Sequence, residues 1–212
     1  MISIMRLITF FILISSQSFG NINYKNSPLF KLLFTYPFEN KIEIDEIPHE
    51  ALSVEILLPK KIVISEIETF YKDLGDLEKN KKIFKCEIKS KGEKVTIFSL
   101  IKKNKNKVQV NISDAQKLEN KNTIETIIDT FKIILARRFL NDYIKKIEKD
   151  ISRTDKKQNR IIRNNPKKLE MNVGIMYNIY QKNESKKVGL KSSLETLYKE
   201  LEEVKTEYNK IK

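Results

Sequence analysis

Residues 84–112, FKCEIKSKGEKVTIFSLIKKNKNKVQVNI, decide the fold of this chain. Phe84, Cys86 and Ile88 alternate with Lys85 and Glu87. After Ser90-Lys91-Gly92, Val95, Ile97, Ser99 and Ile101 alternate with Thr96, Phe98 and Leu100. After Asn104-Lys105-Asn106, Val108, Val110 and Ile112 alternate once more. Period-two alternation broken by turn residues predicts three antiparallel strands in a meander. The middle strand is apolar on both faces, so it is expected at the centre of the sheet.

Working outward, Leu52, Val54, Ile56 and Leu58 alternate up to Pro59 and predict a strand with one buried face. Ser65-Glu66-Ile67-Glu68 reads as a capping box, with Ile67, Phe70, Tyr71 and Leu74 on one helical face and Gly75 as the stop. Ile42 and Ile44 also alternate, and Pro48, beside His49, is expected to break that run in a turn. The order strand, helix, meander predicts an α+β unit over residues 41–120, a small β-α-β-β-β arrangement with a mostly antiparallel sheet. It does not predict a parallel nucleotide-binding sheet. Residues 21–40 show no clean period and are expected as an irregular linker. Phe30, Leu32, Leu33, Phe34, Tyr36 and Phe38 should dock it on the core.

Residues 121–212 read as a helical coiled-coil hairpin tail. Asn122 is followed by Glu125 as an N-terminal signal. Ile124, Ile127, Ile128, Phe131, Ile134 and Leu135 follow at helical spacing, and Leu140, Ile144, Ile147 and Ile151 continue a narrower stripe. A break is expected near Pro166. A short helix over Met171, Ile175, Met176 and Ile179 should resume, followed by a turn at 183–190 and a capping box at Ser192–Glu195. Leu194, Leu197, Leu201, Val204, Tyr208 and Ile211 then step three, four, three, four, three, a heptad seam. So short a seam needs a partner helix. The nearest is the segment before the 183–190 turn, in an antiparallel hairpin; the alternative is another chain, either a second copy or a protein partner.

Residues 1–20, MISIMRLITFFILISSQSFG, have the layout of a secretory signal peptide. Arg6 supplies the positive region, Leu7–Ser16 the apolar run, and Ser18 and Gly20 the small residues before a cut at Asn21. The run is about half the length of a membrane-spanning helix, so export to the periplasm or cell surface is expected, with no integral span after cleavage. The chain has 41 Lys and Arg against 28 Asp and Glu, a net charge of +13, so anionic partners are expected. Lys, Ile and Asn make up 84 of the 212 residues, so AT-rich coding bias is a competing source of that charge.

The residues that carry chemistry are sparse. Cys86 is the single cysteine and stands in register with Phe84 and Ile88, which predicts a buried structural thiol and no intramolecular disulfide. His49 is the single histidine. Without a second histidine or a cysteine pair, neither a zinc site nor any other cofactor is expected. The five glycines are not clustered into a phosphate loop, and no Gly-x-Ser-x-Gly elbow occurs. No catalytic residues are assigned. A carboxylate-only hydrolase is the one enzyme class left open, because its acids need not be close in sequence. Asn111-Ile112-Ser113 and Asn183-Glu184-Ser185 match the glycosylation acceptor pattern.

One pattern rises above this background. Lys145, Lys149, Arg153, Lys156, Arg160 and Arg163 step four, four, three, four, three, and on a helix they form one stripe about 165° from Ile144, Ile147 and Ile151. Over residues 145–168, ten Lys or Arg stand against three acids, a local net of +7. Two readings fit: a solvated helix face, or a clamp for an anionic envelope surface. Nucleic acid is not expected, since no aromatic side chains interleave with the stripe to stack bases.

Glu43–Lys61 (EIDEIPHEALSVEILLPKK), followed by a capped helix, a meander and a charged helical tail, resembles a group of uncharacterised exported proteins of Bacteroidetes-type bacteria. The resemblance implies an envelope protein with an α+β head and a helical tail, and implies no activity. The sequence thus leads to a non-enzymatic structural or interaction protein of the cell envelope acting through its tail, or to a polyanion or membrane-surface binder using the basic stripe.

Overall fold

The structure is a computed structural model that describes residues 28–211 other than 81, 91–92, 115–117, 119, 171 and 173. The segment read as a signal peptide lies outside the described residues. The elements are α1 (Pro28–Leu33), β1 (Phe38–Ile44), β2 (Ile47–Ile56), α2 (Lys60–Leu74), β3 (Asp76–Asn80), β4 (Ile83–Ser90), β5 (Glu93–Asn104), β6 (Lys107–Ser113), α3 (Lys121–Asn164), α4 (Pro166–Glu170) and α5 (Ile175–Ile211). The fold is α+β. The described residues fall into two compact units: residues 28–136 with 207–211, and residues 137–206.

The first unit holds a six-stranded antiparallel sheet in the order β1-β2-β6-β5-β4-β3. The meander lies where its alternation puts it, with β5 between β4 and β6 and with Cys86 opposite Ile97 and Ile101 opposite Val110. Val54, Val110, Ile97, Ile101, Phe84 and Cys86 share one buried face. There the Tyr71 hydroxyl of α2 meets the buried Ser99 hydroxyl, and the Phe70 ring stacks on Phe131 of α3 with centroids 5.8 Å apart.

On the other face Ile42, Ile44, Ala51 and Leu100 form one cluster. The cluster borders a buried polar group. Asn111 Oδ1 accepts from Ser53 Oγ at 2.7 Å and Gln109 Nε2 at 2.8 Å, while Asn111 Nδ2 donates to the Leu100 carbonyl at 2.8 Å. Full burial of Asn111 removes it as a glycosylation acceptor in the folded protein.

Several expectations are corrected. Residues 28–40 are not irregular: α1 buries Phe30 and Leu33, Phe34 is buried after it, and β1 begins at Phe38, but Tyr36 and Phe38 are exposed and do not dock. Pro48 does not break the strand. It is the second residue of β2, opposite Glu43, and β6 pairs with β2 only from Leu52 onward, so the missing N–H leaves no rung unmade on that side. Asp45 and Glu46 turn the chain instead, both with positive φ as a two-residue type I′ hairpin requires. His49 accordingly lies in β2, buried, with its ring edge-on to Phe98. Ser65 does not cap α2. The helix starts at Lys60, directly after Pro59, whose carbonyl accepts from Ile62 and Val63. Likewise α3 begins at Lys121, with the Asp114 carboxylate holding the Asn120 N–H at 2.7 Å, two residues ahead of the expected Asn122 signal.

Candidate functional site

Residues 137–206 contain most of α3 and α5, packed antiparallel. Three side-chain pairs fix the register: Tyr198 donates to Glu148 Oε1 at 2.7 Å, Lys187 meets Asp155 Oδ1 at 2.6 Å, and Gln158 donates to Glu184. The α3 positions rise as the α5 positions fall, so the two helices form a hairpin. Its seam buries Leu140, Ile144 and Ile147 of α3 and Leu197, Leu201 and Val204 of α5. Leu194 is half-buried, as is Tyr208 in the neighbouring unit; the side chain of Ile211 lies outside the described residues.

The reversal occurs at residues 165–174 and not at 183–190. Pro166 offers no N–H to continue α3, and it opens the short α4. Asn172 and Gly174 then take positive φ and lead into α5. Residues 183–190 are helical throughout. Gly189 has open space at its Cβ position, and one exposed helical glycine costs only about 1 kcal/mol. The Lys187–Asp155 and Gln158–Glu184 pairs across the hairpin favour the helix there. Ser192 is interior to α5, so it caps nothing, and within this unit the partner of the Leu194–Val204 seam is α3.

Lys145, Lys149, Arg153, Lys156, Arg160 and Arg163 are all exposed on α3, on the side away from Ile144 and Ile147. Arg153 alone among them has a described ion-pair contact, with Asp150 at 3.5 Å. Between the helices runs an open groove of about 410 Å³, whose lining includes Glu148, Asp155, Lys156, Ile151 and Leu194. Both of its carboxylates are engaged, Glu148 by Tyr198 and Asp155 by Lys187.

Elsewhere, Cys86 is fully buried, with its thiol on the Tyr71 carbonyl at 3.4 Å. Burial, aided by the Asp76 and Glu87 carboxylates, pushes its pKa up to about 11. Since the thiolate is the reactive form, a disulfide-exchange reagent at mildly alkaline pH should label Cys86 at least about 100-fold more slowly in the native protein than in urea. Equal rates would refute that burial. Among the described residues no group of three His, Cys, Asp or Glu is placed to hold a metal ion, and no helix is long and apolar enough to cross a membrane.

The sequence marks Met171, Ile175, Met176 and Ile179 only as a short helix, not as an exposed end of the hairpin; Met171 lies outside the described residues. Ile162, Ile175, Met176 and Ile179 are exposed at that end. The signal was present as an apolar helix face beginning at Ile175, just after a proline that ends its partner. Comparison of the chain with protein-family models, with curated proteins and with solved structures gives no match.

Proposed function

We propose that this is an exported, non-enzymatic interaction protein of the cell envelope whose helical hairpin holds anionic surfaces along the basic stripe of α3. One observation carries the reading: six cationic side chains stand exposed on one face of a helix whose opposite face is already occupied by α5. The pairing seam is satisfied within the chain, so the helix is braced and its charged face is left for a partner. The heptad residues Leu197, Leu201 and Val204, being buried, favour this over pairing in trans.

Near an anionic surface each cation contributes about 1 kcal/mol. Replacing Lys149, Arg153 and Arg160 by glutamate should therefore weaken binding to phosphatidylglycerol-containing vesicles by at least about 100-fold. All three are exposed, so helical content by circular dichroism should be unchanged. Binding should also fall steeply with added salt, because the screening length drops from about 30 Å at 0.01 M to about 10 Å at 0.1 M. Vesicle binding indifferent to both salt and charge reversal would defeat the proposal.

A further inference from the structure

We infer that the closed end of the hairpin is an apolar wedge that enters the headgroup–acyl boundary of an anionic lipid bilayer; this rests on the reading of α3 as an anionic-surface contact and names the bilayer as that surface. The wedge follows from the hairpin register. At helical spacing Met176 and Ile179 lie on the same face of α5 as Leu197, Leu201 and Val204. They belong to the pairing seam. Extending the Asp155–Lys187 and Gln158–Glu184 pairs toward the tip brings the end of α3 opposite the first turn of α5. On that register Ile175 and Met176 lie beyond the end of α3, and Ile162 and Ile179 stand in the last paired turn. All four are left open: Ile175 is 76% exposed, Ile162 45%, Ile179 40% and Met176 36%.

What surrounds them fits lipid headgroups. Residues 156–182 carry Lys156, Lys157, Arg160, Arg163, Lys167, Lys168 and Lys182 against Glu170 alone, a net of +6. Residues 183–212 carry seven basic and six acidic residues, a net of +1. The charge is concentrated where the apolar side chains are exposed. Tyr177 and Tyr180, both half-buried, stand in the same turns of α5, and tyrosine rings favour the membrane interface, where one edge is apolar and the other wet. A basic helix end with apolar anchors is the pattern of an interfacial, not a spanning, element.

A protein occupant fits less well. Four partly exposed side chains offer less apolar surface than the roughly 800 Å² that each partner buries in a stable interface. Two copies meeting tip to tip would bring like charges together.

The test uses the full chain. It contains no tryptophan, so Ile175→Trp provides a single reporter. With phosphatidylcholine–phosphatidylglycerol vesicles its emission should shift to the blue, and brominated acyl chains should quench it. Ile175→Ser, Met176→Ser and Ile179→Ser combined should bind those vesicles at least about tenfold more weakly. The same triple variant should bind heparin, a soluble polyanion, as the wild type does, with unchanged circular dichroism. Vesicle binding with the tryptophan still in water, or an undiminished serine variant, would overturn the wedge and leave the basic stripe standing. Heparin binding without vesicle binding would do the same. A blue shift that depends on protein concentration without lipid would overturn it in favour of a second copy. Failure of the wild type to bind either polyanion would remove both readings.

Discussion

Gly75→Ala should destabilise the sheet unit by about 3 kcal/mol or more, near the upper end of what overpacking costs. Gly75 ends α2, its N–H bonded to the Tyr71 carbonyl at 3.0 Å. A Cβ at this position would lie 2.0 Å from the Glu87 carbonyl oxygen and 3.0 Å from its carbon. Backbone conformation is not the obstacle, since φ is 174°, extended and open to any residue. The obstacle is space. Glu87 sits in β4, paired with Asp76 of β3 on one side and Thr96 of β5 on the other, so its carbonyl cannot retreat without breaking ladder bonds. The helix must move instead, taking Tyr71 away from Ser99. Thermal melts should show a loss of about 10 °C or more. Gly189→Ala is the internal contrast: it is helical, has nothing within 4 Å of its Cβ position, and should gain about 0.5–1 kcal/mol. A Gly75→Ala protein that melts with the wild type would show that α2 does not approach β4 so closely.

The same helix end shows how much of the fold was readable beforehand. Gly75 was legible as a stop, because glycine after an amphipathic face is a local signal. The reason only glycine fits was not legible, because it lies in a strand, at Glu87, twelve residues further on. The meander was legible because Phe84, Ile97, Ile101, Val110 and Ile112 each report the same buried face by alternation. Strand β3, Asp76–Asn80, was not. It is a charged edge strand with only Leu77 apolar, and its place is set by pairing with β4, not by its own pattern. The expected turn at 183–190 failed in the opposite sense. Asn183, Ser185 and Gly189 have turn composition, but Glu184 and Lys187 find Gln158 and Asp155 across the hairpin, and those partners are invisible to a local reading. The basic stripe was legible, since one helical period carries all six residues. The exposed tip was not, because it depends on where α3 ends relative to α5.

Glu200→Gln should stabilise the hairpin at about pH 8 and change little at acid pH. Glu200 lies in α5 within the paired region, and its Oε2 is buried without a hydrogen-bond partner among the described residues. Burial, with the nearby Glu203 carboxylate adding to it, raises its pKa from 4.5 to about 7. The folded protein therefore keeps a proton between pH 4.5 and 7 that the unfolded chain has already released. Stability from this group falls as pH rises through that window, and above it the full penalty applies, about 3 kcal/mol at 1.36 kcal/mol per unit. Glutamine keeps the shape and removes the charge. Urea unfolding should find the variant about 2–3 kcal/mol more stable than wild type at pH 8 and within about 0.5 kcal/mol of it at pH 4.5. The contrast is Glu148 of α3, which receives the Tyr198 hydroxyl: Glu148→Gln should show no comparable gain at pH 8, because that carboxylate has a donor. Parallel pH profiles for wild type and Glu200→Gln would show that Glu200 reaches water. Diverging profiles would show that α5 packs a carboxylate against α3 and that the hairpin tightens as pH falls.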